Sequence, residues 1–291
     1  MSDLRITLAL LTRNRPDCLR NALTAACAGS SLPDEVLVSD DSNEDQTELT
    51  LAVVRDFPKI RYTKGPRKGL GANENHLVRE ATGDWIVFNG DDACLANDFI
   101  ANLRCWLAEN ESKLAVPSGY EILNGQKVQP NALDFFGYQR VRYQDYEAGR
   151  CLKTFVVQAT AFPMRAMRQL QWLEVSIYGY DEVDMAHKLR KLGYEIVYEP
   201  RLWLYHNQAD EGRIDYPLPT QIARIYVMMR IYGTYEPNLL KLLTFTFTAP
   251  FQLAFAFIRR GMWSRLAEVG MSTFKAYSAF AKSRRKRWQL S

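Results

Sequence analysis

Residues 84–92 read DWIVFNGDD, a run of large apolar side chains that ends in two adjacent aspartates. Such a run predicts a buried strand that carries both carboxylates at its carboxyl end. Residues 35–41, EVLVSDD, repeat this pattern and predict a second strand with a second aspartate pair. Strands of this kind that alternate with amphipathic helices are typical of a mainly parallel, doubly wound α/β sheet with helices on both faces.

The segments around these two strands fit the same α/β pattern. Further strands are predicted at about residues 6–11, 60–62, 194–198 and 202–206, and helices at about 16–26, 46–55, 72–80 and 180–193. Residues 115–160 predict only short, irregular strands. In doubly wound sheets the binding site lies beyond the carboxyl ends of the strands, where both aspartate pairs are expected. We therefore predict a catalytic domain over residues 1–215 and a helical, basic segment over 216–291.

Composition narrows the possible classes of protein. The chain has 291 residues, of which 47% are hydrophobic, enough for one large domain and an appendage. Its five cysteines are an odd number without a close C-x-x-C pair, which argues against a disulfide framework or a zinc site and favours a reducing compartment. The first residues lack the pattern of a secretory signal peptide, so we expect a cytoplasmic protein.

The net charge of +4 is distributed unevenly along the chain. The segment from Arg259 to the end contains nine Lys and Arg residues against Glu268 alone, a charge of +8, so the preceding residues sum to −4. A mildly acidic body with a basic tail is not typical of a nucleic-acid-binding protein. It predicts instead a catalytic domain that is held at an anionic surface.

Three groups of acidic residues are candidates for chemistry, and each also has a simpler structural interpretation. Asp91 and Asp92 form either a turn or a site for Mg²⁺ or Mn²⁺, since two adjacent carboxylates are costly unless a cation neutralises them. The pair at 40–41 could instead cap the helix that follows. The acids at 181–184 suit the positive end of a helix dipole. Glu182, however, shares a helix side with apolar residues and could act as a base.

The order of these motifs resembles glycosyltransferase family 2, the inverting enzymes with the GT-A fold. The similarity rests on TRNR at 12–15, SDDSN at 39–43, GLGANEN at 69–75, GDWIVF at 83–88, GDD at 90–92, GYDEVDM at 179–185 and LRKLGY at 189–194. The sequence departs from the family pattern in three places. Glu74 stands where arginine is usual, and Gly90 replaces the first aspartate of the D-x-D metal motif. The usual Glu-Asp pair is inverted to Asp181-Glu182.

The resemblance implies a nucleotide diphosphate sugar as donor and a saccharide hydroxyl as acceptor. The cation, Mn²⁺ or Mg²⁺, would be bound by Asp92 and by His206, a residue that is otherwise a structural histidine at a strand end. Glu182 would be the base that deprotonates the acceptor, with Asp181 in support. The donor would be bound by residues from the first half of the chain, namely Thr12, Arg13, Asn14, Asp41, Arg67, Lys68, Gly69, Asn75 and Asp91.

The apolar stretch 239–258 is long enough for a membrane-spanning helix. Its threonines and proline make it a poor one, whereas Phe247, Phe251 and Phe255 fall on one helix side shortly before two arginines. This pattern predicts a helix in the membrane interface, supported by the polybasic cluster at 282–288. We expect a peripheral protein at the inner face of the plasma membrane, and the resemblance adds a lipid-linked acceptor. The alternative is a helix packed on the domain or on a second copy of the chain in a homo-oligomer.

Two other functions are compatible with parts of the sequence. A nucleotide-sugar pyrophosphorylase has a related fold but carries a glycine-rich basic signature after the first strand, which residues 11–14, LTRN, do not match. A catalytically inactive nucleotide-sugar-binding module would explain the departures from the family pattern. Rhamnose, galactose and glucose all fit as the transferred sugar, with rhamnose favoured by the TRNRP start and the basic tail.

Overall fold

The computed structural model describes residues 4–140, 146–174, 179–207 and 217–288. Its strands are β1 (Ile6–Thr12), β2 (Glu35–Asp40), β3 (Ile60–Lys64), β4 (Trp85–Gly90), β5 (Ala93–Leu95), β6 (Ala115–Leu123), β7 (Gln126–Val128), β8 (Ala132–Leu133), β9 (Gln139–Arg140), β10 (Cys151–Leu152), β11 (Ala161–Pro163) and β12 (Glu195–His206). Its helices are α1 (Pro16–Ala28), α2 (Glu44–Arg55), α3 (Leu70–Glu80), α4 (Phe99–Glu109), α5 (Met164–Met167), α6 (Asp181–Lys191), α7 (Pro217–Arg230), α8 (Leu239–Arg259) and α9 (Leu266–Trp288). A π-helical turn, Ile231–Tyr235, follows α7.

The central sheet has the strand order β11-β4-β1-β2-β3. Strand β1 lies parallel to both β2 and β4, and β2 lies parallel to β3, whereas the edge strand β11 is antiparallel to β4. Every residue of β1 is buried, as expected for a central parallel strand that is covered on both faces. The predicted mainly parallel α/β sheet is confirmed.

Alternate residues of β1 pack into two different apolar cores. Ile6, Leu8 and Leu10 belong to a core with residues of α1, α2 and α4. Ala9 and Leu11 belong to a second core with residues of α3 and α6. Successive strand residues point to opposite faces of a sheet, so this division places helices on both sides of it.

A second sheet, of order β10-β12-β6-β7, contains most of the later strands, and β5 pairs with the end of β12. Strand β12 is continuous, so the prediction of two separate strands at 194–198 and 202–206 is wrong. Strand β6 lies parallel to both halves of β12, and the register shifts between Tyr198 and Trp203. The irregularity includes Pro200, which has no backbone N–H to donate, and a bulge at such a position lets the strand continue.

The C-terminal helices are fixed to α6, the helix that carries the predicted base. Residues of α7, α8 and α9 form a third apolar core with Tyr180 and Val183. At the same place the buried side chain of Asp184 accepts a hydrogen bond of 2.7 Å from the Tyr235 hydroxyl. Asp184 also forms an ion pair of 3.2 Å with Arg230 of α7. The helical segment thus packs directly on the domain.

Helix α8 has one face that packs on the protein and one face that is exposed. Phe245, Ala249, Leu253 and Phe257 are buried at a spacing of one helical turn. The opposite face, which we call the apolar face of α8, has large side chains with exposed fractions of 76% for Leu240, 59% for Leu243, 73% for Phe247, 66% for Phe251 and 63% for Phe255. By length and composition alone, α8 is also apolar enough to cross a membrane.

Candidate functional site

Backbone hydrogen bonds gather the ends of the parallel strands at one edge of the sheet. The N–H of Asp41 donates to the Thr12 carbonyl at 3.0 Å, and the N–H of Asp91 donates to the Leu11 carbonyl at 3.1 Å. Gly65, just after β3, donates to the last residue of β2 at 2.9 Å. The structure therefore brings together Thr12, Asp41 and Asp91, which the sequence assigned to one donor site.

Arg15 lies between the two adjacent aspartates that follow β4. Its Nη2 is 2.5 Å from Asp91 Oδ1, and its Nη1 is 3.1 Å from Asp92 Oδ2. Asp91 is buried and also accepts a hydrogen bond of 2.8 Å from the Thr12 hydroxyl. Burial raises the pKa of Asp91 to about 6, although Arg15 and Thr12 oppose the rise. Arg15, which was not among the predicted site residues, thus supplies positive charge that the two carboxylates require.

His206 reaches the same aspartates because of the way β5 pairs. Strand β5 directly follows Asp92 and lies antiparallel to the end of β12, with His206 opposite Ala93. His206 Nε2 is 3.5 Å from Asp92 Oδ1, and its Nδ1 is 2.9 Å from Glu121 Oε2. Burial lowers the pKa of His206, but the hydrogen bonds and charges of Asp92 and Glu121 outweigh it and raise the pKa to about 9.

Once His206 has lost its proton from Nε2, the Asp92–His206 pair fits a divalent cation as two of its ligands. Neighbouring ligand atoms around octahedral Mn²⁺ or Mg²⁺ lie about 3 Å apart, close to the 3.5 Å between Asp92 Oδ1 and His206 Nε2. Within the described ranges, no group of three or more His, Cys, Asp or Glu side chains is arranged to hold a metal. A cation at this pair would therefore need substrate phosphates and water as its other ligands, as is usual for Mg²⁺.

The predicted base lies at the start of α6. The helix follows two residues with positive φ, Gly179 at 90° and Tyr180 at 66°. Glu182 accepts a hydrogen bond from the side-chain amide of Gln139 in β9. Burial raises the pKa of both Asp181 and Glu182, and neighbouring acids raise that of Asp181 further. A carboxylate with a raised pKa is well suited to accept a proton from a hydroxyl group.

Glu74 is a buried acid beside this pair. Its side chain is on α3, the residue is 3% exposed, and its Oε2 atom has no hydrogen-bond partner in the part of the chain that the structure describes. Burial, followed by the charges of Asp181 and Glu182, raises the pKa of Glu74 well above the usual range. The neutral form of Glu74 is therefore favoured. In the sequence, Glu74 was notable only because it stands where the family usually has arginine.

The loop between β3 and α3 is fixed on Asp41. The N–H of Arg67 donates to Asp41 Oδ1 at 2.9 Å, and burial raises the pKa of this carboxyl. Arg67 has a φ of 54° and Gly69 a φ of 96°, and the exposed Lys68 lies between them. The structure thus brings Arg67, Lys68 and Gly69 to the edge that carries Asp41.

The two predicted asparagines hold the loops of the site in place. The side-chain oxygen of Asn14 accepts a hydrogen bond of 2.8 Å from the N–H of Asn43. Asn75 is buried, accepts from the Trp172 N–H at 2.8 Å and donates to the Trp172 carbonyl at 3.1 Å. Both side chains are therefore already engaged. Arg13, by contrast, is exposed at the strand-end edge and accessible to a ligand.

The strand-end edge lies within a part of the chain that matches a known protein family. Residues 7–169, more than half of the chain, match the model of glycosyl transferase family 2. The chain belongs to glycosyl transferase family 2. The match includes Asp41, Asp91 and Asp92, whereas Glu182 and His206 lie beyond its end. Membership of this family favours the transferase over the pyrophosphorylase alternative.

Individual relatives of this chain share its fold more than its sequence. The uncharacterized glycosyltransferase YfnE of Bacillus subtilis (strain 168) is 34% identical over 83 residues, which are 28% of this chain and 21% of YfnE. GalNAc-T7, solved with UDP, GalNAc and Mn²⁺, has a TM-score of 0.66 at 14% identity over 81% of this chain and 50% of its own. The mannosyltransferase PcManGT from Pyrobaculum calidifontis, solved with GDP-Man and Mn²⁺, has a TM-score of 0.58 at 17% identity over 96% of this chain and 87% of its own.

The alignments with solved structures establish the GT-A fold of this chain. S. aureus TarS 1–349 with UDP-GlcNAc adds a TM-score of 0.56 at 12% identity over 97% of this chain and 92% of its own. The chain spans half of the GalNAc-T7 chain, and its match to YfnE covers about a fifth of that relative.

Proposed function

We propose that this glycosyltransferase moves a sugar from a nucleotide diphosphate donor to a hydroxyl group of a saccharide acceptor, with inversion at the anomeric carbon. The proposal is supported by helix α3, which links the strand-end edge to the carboxylate pair of α6. Helix α3 begins at the loop that is fixed on Asp41 and carries Glu74, whose pKa responds to the charges of Asp181 and Glu182. Donor-binding residues and a base would therefore face one another.

On the donor side, Arg13, Arg67 and Lys68 would offset the negative charge of the diphosphate. A Mn²⁺ or Mg²⁺ ion held by Asp92 and His206 would, when bound, draw charge from the leaving group. The ligands of related folds support this part of the proposal, since GalNAc-T7 was solved with UDP and Mn²⁺ and PcManGT with GDP-Man and Mn²⁺.

On the acceptor side, Glu182 would take the proton of the attacking hydroxyl group. The hydroxyl oxygen forms a bond to the anomeric carbon while the bond from that carbon to the diphosphate oxygen breaks. The proton passes to Glu182 and the nucleoside diphosphate leaves with the bonding electron pair. The hydrogen bond from Gln139 would hold the Glu182 carboxylate in position. Because attack occurs opposite the leaving group, no covalent intermediate with the protein forms.

The test is a panel of nucleotide sugars that combines uridine, guanosine and deoxythymidine diphosphates with rhamnose, galactose and glucose. We expect release of the nucleoside diphosphate from one donor class, with rhamnose donors favoured, and faster release when a saccharide acceptor is present. An absence of release or transfer with every donor would contradict the proposed activity.

The inactive binding module is a second candidate, and the position of Arg15 is the observation that favours it. Arg15 already pairs with Asp91 and Asp92. The metal motif is also incomplete, because Gly90 stands where the family usually has its first aspartate. Calorimetric binding of a nucleotide sugar that is neither hydrolysed nor transferred would support this candidate.

We further propose that residues 216–291 hold the catalytic domain, residues 1–215, at the inner face of the plasma membrane. The apolar face of α8 is exposed in the structure, and Arg259 and Arg260 follow at its end. An amphipathic helix that is flanked by cations suits the interface of an anionic membrane. This location agrees with a lipid-linked acceptor and a role in cell-surface polysaccharide synthesis. If the same face instead packs on a second copy of the chain, the protein would form oligomers and would not bind vesicles.

A further inference from the structure

A cavity of about 450 Å³ lies between the β8–β9 connection and the C-terminal end of α8. Its wall consists of Tyr138, Gln252, Phe255, Ala256, Arg259 and Arg260. The volume is within the range of about 300–1,000 Å³ that is typical of small-molecule sites. The wall combines two guanidinium groups with two aromatic rings and an alanine side chain, so its chemistry suits a ligand with both an anionic and an apolar part.

The cationic side of the cavity is available to a ligand. Arg259 and Arg260 are exposed, and no described residue forms an ion pair with either of them. At the rim, the hydroxyl of Tyr138 donates a hydrogen bond of 2.8 Å to the side-chain carbonyl of Gln252, whose amide N–H groups stay available as donors. Guanidinium and amide N–H groups together recognise phosphate oxygens well.

A third arginine lies behind the Tyr138 wall. Arg224 is fully buried, and its Cζ is 4.2 Å from the centroid of the Tyr138 ring. Its Nε donates to Gln221 at 2.9 Å and its Nη1 donates to the carbonyl of Phe136, while Nη2 has no partner among the described residues. A buried cation is costly, and the negative charge of Asp134 opposes only part of the effect by which burial lowers the pKa of Arg224. The positive potential that it adds beside the cavity would be offset by an anionic ligand.

The apolar side of the cavity continues onto the outer surface. Phe255 lines the cavity and also belongs to the apolar face of α8, where Phe251 and Phe247 follow at intervals of one helical turn. A ligand with its anionic group at the arginines could therefore extend a hydrocarbon chain along these rings. A free phosphate ion would leave this apolar surface unused.

The cavity is also connected to the candidate base. Tyr138 precedes Gln139, whose side-chain amide donates to Glu182. The Tyr180 hydroxyl, from the residue that precedes α6, donates to the carbonyl of Gly137 at 2.7 Å. The segment 137–139 thus contacts both the cavity and the start of α6.

We infer that this cavity binds the phosphate of a lipid-linked acceptor, with Arg259 and Arg260 on the phosphate and the lipid chain on the apolar face of α8. The inference rests on the proposed function, because it gives the acceptor of that reaction a binding site. The bound phosphate would fix the position of the attached saccharide relative to Glu182 and would restrict transfer to acceptors at the membrane.

The test measures equilibrium binding of farnesyl diphosphate to the full chain by calorimetry, in a non-ionic detergent with EDTA present. EDTA prevents a divalent cation at Asp92 from recruiting the diphosphate to the donor side. We expect the double variant Arg259→Gln/Arg260→Gln to weaken binding at least tenfold. Lys241→Gln, at the opposite end of α8 and away from the cavity, is the matched control and should leave the affinity unchanged.

A second comparison separates a lipid phosphate from a free phosphate. Phe255→Ser, at an exposed position, should weaken the binding of farnesyl diphosphate at least threefold and leave inorganic pyrophosphate binding unchanged. The inference is overturned if the double variant binds farnesyl diphosphate like the wild type, or if Lys241→Gln weakens binding as much as the double variant does. It is also overturned if pyrophosphate binds as tightly as farnesyl diphosphate.

This binding test does not depend on catalysis. If the double variant binds farnesyl diphosphate with unchanged affinity while the nucleotide-sugar panel shows transfer, the cavity assignment fails and the proposed function stands. If the double variant binds farnesyl diphosphate more weakly but the protein turns over no donor, the proposed function fails.

Discussion

Replacing Arg15 with glutamine should destabilise the fold by about 3 kcal/mol, because the change leaves a buried carboxylate without its counter-charge. The side chain of Asp91 is 0% exposed, with Arg15 Nη2 at 2.5 Å from Oδ1 and Arg15 Nε at 3.2 Å from Oδ2. Removal of one partner from a buried ion pair costs about 3–5 kcal/mol. We expect the low end of that range, since Arg15 is itself 25% exposed and the Thr12 hydroxyl still contacts Asp91.

The loss should depend on pH in a defined direction. The pKa of Asp91 is already raised to about 6 in the folded protein, against about 3.9 in an unfolded chain. A carboxyl whose folded pKa is raised lowers stability as the pH rises from the unfolded to the folded value. Without Arg15 the folded pKa rises further. The free energies of unfolding of the variant and the wild type should therefore differ least near pH 4 and most near pH 8.

The assay is urea unfolding followed by tryptophan fluorescence, for which the chain has six tryptophans. Arg20→Gln is the matched control, because Arg20 forms an exposed ion pair with Asp56 at 2.7 Å and its loss should cost less than about 1 kcal/mol. The double variant Arg15→Gln/Asp91→Asn should recover most of the lost stability. A loss of stability in Arg15→Gln no larger than that in Arg20→Gln would contradict this role of Arg15, as would a double variant that recovers no stability.

Four further outcomes concern the site and the tail. Glu182→Gln should slow transfer by about 10²–10⁴-fold with donor affinity unchanged in calorimetry, because the amide cannot take a proton; an active Glu182→Gln beside an inactive Asp181→Asn would make Asp181 the base. Asp92→Ala should abolish transfer, and the wild type should lose activity in excess EDTA, so full activity there would argue against a metal. Deletion of residues 282–291 should weaken sedimentation with anionic vesicles, as should high salt, without changing the chemistry; unchanged sedimentation would favour packing of the helices on protein. Glu74→Gln should raise the melting temperature at pH 8 more than at pH 5, since the raised pKa of Glu74 costs the wild type stability as the pH rises; a lower melting temperature at both pH values would show that Glu74 is charged and paired.

The strand-end half of the site follows from local sequence patterns. Apolar runs that end in acidic pairs predicted β2 and β4, and the parallel topology then required Thr12, Asp41 and Asp91 to meet at one edge. The spacing of Phe247, Phe251 and Phe255 at one helical turn likewise predicted the apolar face of α8. Sheet topology was sufficient for the strand ends, and the helical period was sufficient for this face.

The contacts that the sequence did not predict depend on pairing across the chain. Arg15 was visible in the TRNR motif, but its pairing with Asp91 and Asp92 requires the loop after β1 to fold across the end of β4. The continuity of β12 depends on β6, which lies beside both of its halves. Asn75 stays a predicted donor-binding residue, and the sequence did not predict that its side chain also holds the backbone of Trp172, which is distant along the chain. No local pattern specifies such partners.

The most direct test of the central claim is the anomeric configuration of the transferred sugar, read by proton NMR from a donor of known configuration. If a carboxylate of α6 acts as the base in a single displacement, the product has the opposite anomeric configuration to the donor. A product that retains the donor configuration would contradict the account, because one displacement with the residues at this site cannot produce it.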